Sequence, residues 1–206
     1  MGFLGILMLD TRFPRVPGDV GHAASWRMPV RLRVVPGASP RRVVREADAR
    51  LLEPFVQAAR ELEAEGAAAL TTSCGFLWRW QAELQRAVAV PVWTSSLLLL
   101  PTLPRPGVVT VDAAALGDIG VPVQGLEEGG TLQRTLLEDR PTLDAEAAER
   151  DAVAAAQRLV ARHPEVESIV LECTNLPPYA AAIARATGRP VHHLMTLVHE
   201  RWKDLQ

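Results

Sequence analysis

The strongest constraint on this chain is a strand-to-turn pattern that occurs twice. Ala69-Leu70-Thr71-Thr72-Ser73-Cys74-Gly75 and Ile169-Val170-Leu171-Glu172-Cys173-Thr174-Asn175 are both short apolar runs that end in a polar turn carrying a cysteine. Each turn then opens a helical pattern, and the cysteines lie 99 residues apart in a chain of 206. In parallel sheets, ligands bind at the carboxyl ends of strands. Two matching halves would therefore each bring one thiol to a shared cleft.

The rest of the chain follows the same grammar. Strands are expected at Phe3–Leu9, Val30–Val35, Ala67–Thr71 and Pro91–Thr94, then at Gly107–Asp112, Ser168–Glu172 and Pro190–His193. Helical spacing of apolar residues runs from about Arg42 to Glu65, where Gly66 ends it, and again over Leu77–Val88, Thr131–Glu138, Asp144–His163 and Pro177–Thr187. A short terminal helix carries Trp202, and residues 10–28, rich in Pro, Gly and polar side chains, read as a long loop. Strands that alternate with helices predict βαβ units and a parallel sheet. The expected fold is α/β, with two pseudo-symmetric Rossmann-like domains, mostly parallel four-stranded sheets and an active site in the cleft between them. Residues 1–96 form the half with Cys74 and 97–187 the half with Cys173, while the segment 188–206 packs back on the first half.

Composition excludes several classes of function. A net charge of −2 gives no basic surface for a nucleic-acid backbone. The apolar run Leu97–Leu100, closed by Pro101, is too short to span a bilayer. The opening segment lacks a basic start and ends at Asp10, so it reads as a buried strand, and the expected location is the cytoplasm. Two cysteines make no disulfide framework, and the five histidines show no metal-ligand spacing with them.

A thiol at a helix start faces unpaired N–H groups and the positive end of the dipole, which favour the thiolate. Burial opposes that. One thiolate can remove a proton from a carbon acid, and a second thiol on the opposite face can return one. Ser73, Thr174, Asn175 and the amides around Gly75 stand where donors to a substrate carboxylate are wanted.

Over essentially the whole chain this arrangement resembles the aspartate/glutamate/hydantoin racemase superfamily. The resemblance rests on the first strand ending in Asp10, the Cys74 turn and the Cys173-Thr174 turn. It implies a cofactor-independent enzyme, with neither pyridoxal phosphate nor metal, in which Cys74 and Cys173 are the acid–base pair. Thr174 then binds the substrate carboxylate and Asp10 supports the first cysteine. Thr11 is a further substrate contact, and Arg12, in the loop, is a candidate carboxylate clamp. Gly75-Phe76 replaces the Asn-Thr of the group's amino-acid racemases, and Asn175 replaces their His or Glu, which points to a less polar or differently shaped substrate.

The reaction expected is therefore racemisation or epimerisation of a small carboxylate or hydantoin. A maleate cis–trans isomerase-like enzyme with one nucleophilic cysteine is the alternative, followed by a non-catalytic small-molecule-binding protein on the same scaffold. A small carboxylate is the expected partner, and a homodimer is compatible with the reading.

Overall fold

The computed structural model describes residues 2–127 and 130–205. Among these, eight strands form two four-stranded sheets, and every strand pair is parallel. The first sheet contains β1 (Phe3–Met8), β2 (Val30–Val34), β3 (Ala67–Thr72) and β4 (Val92–Trp93), in the order β2-β1-β3-β4. The second contains β5 (Pro106–Thr110), β6 (Val123–Gly125), β7 (Ser168–Leu171) and β8 (Val191–His193), in the order β6-β5-β7-β8. The two halves repeat one topology, so β3 and β7 occupy equivalent central positions. The expected two-domain α/β architecture is the observed one.

The helices are α1 (Leu52–Ala64), α2 (Gln81–Ala87), α3 (Ala113–Leu116), α4 (Thr131–Leu137), α5 (Ala145–Arg162), α6 (Ala180–Thr187) and α7 (Leu194–Trp202). No helix among the described residues is long and apolar enough to cross a membrane. Strand β1 is buried along its whole length because both of its faces are covered. Phe3 and Leu7 join the core that holds Phe55, Ala59 and Leu62 of α1. The alternate residues Leu4, Ile6 and Met8 pack instead with Leu194, Leu197, Val198 and Trp202 of α7. The segment 188–206 therefore does not pack on the first half as a whole: its strand β8 pairs with β7 and completes the second sheet, and only its last helix returns to the first.

Two elements differ from the sequence expectation. The helix read from Arg42 to Glu65 is broken before α1: Ala47 takes a left-handed φ of 46°, and Asp48 accepts from the N–H of Arg50. Asp48 also pairs with Arg42 and Arg50, both at 2.8 Å, so the carboxylate gathers a turn where the apolar spacing runs on. Strand β6 was not expected; its three residues are too few to show a period.

Trp202 is 7% exposed and closes the far face of the first sheet. Trp202→Ala should lower the unfolding free energy by about 3–5 kcal/mol, the usual range for deleting a buried aromatic ring. Urea unfolding followed by circular dichroism measures it, and a loss below about 1 kcal/mol would contradict the assigned role of α7.

Candidate active site

Cys74 and Cys173 sit at the ends of β3 and β7, each where the backbone leaves the sheet. The Ser73 N–H donates to the Leu7 carbonyl and the Glu172 N–H to the Val109 carbonyl, both at 2.9 Å, so each turn is pinned by the strand beside it. The two turns meet. Thr174 Oγ1 donates to the Ser73 carbonyl at 2.5 Å, and Ser96 Oγ donates to the Leu171 carbonyl at 2.7 Å. Gly75 lies directly on Glu172: a β-carbon there would overlap both the Glu172 carbonyl oxygen and its Oε1. Only glycine allows the first turn to come this close to the second.

Both turns border a tight cleft with room for only about 30 Å³, well below the usual range for small-ligand sites. Leu9, Phe13, Val44, Phe76, Val111 and Leu136 make its apolar wall. Ser73, Cys74, Glu172, Cys173, Thr174 and Asn175 supply its polar groups, and none of the described lining residues is Lys, Arg or His. The loop of residues 10–28 braces the Cys173 side. Partly buried Arg15 pairs with Asp19 at 3.0 Å, and Asn175 Nδ2 donates to Asp19 Oδ2 at 2.5 Å. The Cys173 thiol donates to Asn175 Oδ1 at 3.7 Å, so Asp19 fixes the amide that orients this thiol.

Burial dominates the electrostatics. It pushes the Cys74 thiol up to about 12, with Glu172 adding to the rise, while the N–H of Phe76 and the charges of Arg15 and Arg79 oppose it. Cys173 is raised well above the ordinary thiol range for the same reasons, burial first and then Glu172, with the Asn175 N–H opposing. Glu172 is fully buried and its carboxyl is pushed up to about 7 by burial, against the stabilising hydrogen bond from Thr110. Thr110 Oγ1 donates to Oε2 at 2.7 Å, and Oε1 has no hydrogen-bond partner among the described residues.

Solved structures share this two-sheet arrangement. Allantoin racemase from Klebsiella pneumoniae superposes with a TM-score of 0.67 over 99% of this chain and 87% of that one, at 13% identity. Unliganded arylmalonate decarboxylase gives a TM-score of 0.61 over 93% and 87%, at 18% identity. The chain has the fold of the aspartate/glutamate/hydantoin racemase superfamily. No protein-family model matches the sequence.

Sequence comparison points to a different chemistry on this racemase fold. The dimethylsulfoniopropionate lyase of Durusdinium sp. clade D is 29% identical over 92% of this chain, and dimethylsulfoniopropionate lyase 7 of Emiliania huxleyi (strain CCMP1516) is 27% identical over 94%. The chain spans 70% and 64% of those proteins' lengths. These relatives are named as lyases, which overturns the expectation of an isomerase, whether a racemase or a maleate isomerase. The reason is that two thiols on a racemase scaffold do not by themselves specify a reaction.

Of the residues singled out in the sequence, Ser73, Cys74, Gly75, Phe76, Cys173, Thr174 and Asn175 line the cleft of the racemase fold. Asp10, Thr11 and Arg12 lie outside its lining. Asp10 is exposed and accepts from the Gly37 N–H at 2.9 Å, and Thr11 Oγ1 accepts from Arg15 at 3.3 Å. Arg12 is exposed and pairs across the domain boundary with Asp139 at 3.1 Å. Sequence reasoning missed Glu172 and Asp19. Glu172 carried a usable signal, a carboxylate closing an otherwise apolar buried strand, whereas Asp19 lay within the long loop of residues 10–28.

The raised Glu172 carboxyl has a consequence for stability. Between the ordinary carboxylate value and about 7 the folded chain holds a proton that the unfolded chain has lost. Stability should therefore fall as pH rises across that window, by at most about 1.4 kcal/mol per unit from this group. His193, which burial pushes down to about 4, acts with the opposite sign between that value and 6.5. Urea unfolding of the parent and Glu172→Gln across pH 4.5–7.5 isolates the carboxyl: the parent should lose stability relative to the variant as pH rises, and parallel curves would contradict the assignment.

Proposed function

We propose that this chain is a carbon–sulfur lyase that eliminates dimethyl sulfide from dimethylsulfoniopropionate or a closely related β-sulfonio carboxylate. The observation that carries the reading is the similarity to dimethylsulfoniopropionate lyases along more than nine-tenths of the chain, which includes both cysteine turns. The cleft chemistry supports it. A thiolate of the Cys74–Cys173 pair takes the proton from the carbon next to the carboxylate. That C–H electron pair forms the carbon–carbon double bond, the C–S bond breaks, and its electrons leave on neutral dimethyl sulfide. Acrylate remains, and the proton on the thiol passes on to solvent.

The leaving group needs no acid, because the sulfonium departs as a neutral sulfide. One base therefore suffices, and the second thiol serves as a donor to the substrate carboxylate together with Thr174 and the N–H groups of the two turns. The apolar wall, Phe13 and Phe76 included, suits the methyl groups of a dimethylsulfonium, while Arg15 and Arg79 lie over those two rings and are not among the described lining residues. The substrate is a small carboxylate. Two unpaired thiols suit the reducing cytoplasm.

Incubating the purified chain with dimethylsulfoniopropionate should release dimethyl sulfide, read by headspace gas chromatography, with an equal amount of acrylate, read by proton NMR. Replacing the thiol that acts as base, tested in Cys74→Ser and Cys173→Ser, should lower kcat by about 100-fold or more. A folded chain that makes no dimethyl sulfide, or two serine variants that turn over like the parent, would overturn the reading.

A further inference from the structure

Glu172 is the one ionisable group of the described cleft lining that the elimination above leaves without a task. It precedes Cys173 in the chain, and Gly75, which follows Cys74, is packed against it. It thus stands between the two thiols' turns. Its side chain is fully buried and the residue lines the cleft; Oε2 is held by Thr110, and Oε1 has no hydrogen-bond partner among the described residues. A buried carboxyl oxygen left open in a cleft lined by two S–H groups is placed to accept a proton.

We infer that Glu172 and the two thiols share a single negative charge, which Glu172 carries in the resting site and which a thiol acquires by handing its proton to Glu172 Oε1. In that step the S–H bond breaks and an O–H bond forms; the site's charge is unchanged and no other reactant takes part. Glu172 is thus a positioning residue for charge, acting through the thiols. It rations the thiolate in the empty site, and it carries away the proton that each elimination leaves behind. The inference rests on the thiols being the working groups of the reading above, and its test uses no sulfonium substrate.

The charged groups around the trio set the direction. Burial and the Glu172 charge both raise the two thiols, Asp19 further raises Cys173, and Arg15 and Arg79 favour a thiolate at Cys74. Arg79 and the Thr110 hydroxyl favour the charged form of Glu172, against its burial. Because the groups are coupled, the first proton lost belongs to the trio. It leaves as pH rises through about 7, the value to which Glu172 is pushed. Above that point the charge divides between carboxylate and thiolate in a fixed ratio, so the thiolate fraction stops rising.

The test is the rate of iodoacetamide alkylation of the full chain from pH 5.5 to 9.5, with each cysteine read separately by peptide mass spectrometry. Access to the cleft is the same at every pH and drops out of the curve's shape. The parent rate should climb and then flatten above about pH 7. In Glu172→Gln the amide keeps the shape and removes the competing charge. Its rate should keep climbing tenfold per pH unit, overtaking the parent by about tenfold at pH 8. Thr110→Val keeps the carboxyl but removes the hydrogen bond that favours its charged form, so the bend should move to higher pH. A parent curve with no bend near 7, a glutamine variant that bends with the parent, or a Thr110→Val bend that stays in place would each overturn the inference. A lyase assay that fails while these curves behave as described would count against the substrate alone.

Discussion

Everything in this molecule that bears on chemistry depends on the contact between two turns. Gly75 lies against the backbone and carboxyl of Glu172, and Thr174 reaches across to the Ser73 carbonyl at 2.5 Å. The contact joins the carboxyl end of one central strand to the carboxyl end of its counterpart. It exists because the two halves repeat one strand order, which places β3 and β7 in equivalent positions. A side chain at residue 75 would separate the turns and with them the thiols.

That contact also explains why the site is dry and poorly charged. Packing the domains this closely excludes water from Cys74, Cys173 and Glu172, and burial is the first cause of the upward shift of all three. In such surroundings a full charge is costly, and a thiol is a better resting group than a thiolate. Under the proposed function, such surroundings suit a substrate that brings a positive charge and loses it as a neutral sulfide. A sulfonium carboxylate has that character.

The sequence showed the architecture well, because buried parallel strands are short apolar runs and the helices between them are strongly periodic. It showed the two thiols because each follows such a run at a helix start. It did not show β6, whose Val123–Gly125 is too short for a pattern. It also did not show the break at Ala47 and Asp48, since that turn is made by one carboxylate meeting two arginines rather than by a change in apolar spacing. Asp10, Thr11 and Arg12 were singled out by their place after β1, but the chain turns away there, and Arg12 is drawn to Asp139 on the other domain. Glu172 gained its importance only when the two turns were seen to touch. The reaction was not legible at all: a paired-thiol cleft does not name its chemistry, and the relatives' lyase names came from outside the motif.

The account stands or falls on the two thiols facing one cleft. Dibromobimane fluoresces strongly only when both of its arms have reacted, so treating the full chain with one equivalent tests the arrangement directly. The account predicts a fluorescent product and, after digestion, a single cross-linked pair of peptides joining Cys74 to Cys173. Reagent attached to each cysteine singly, with no link between them, would contradict it.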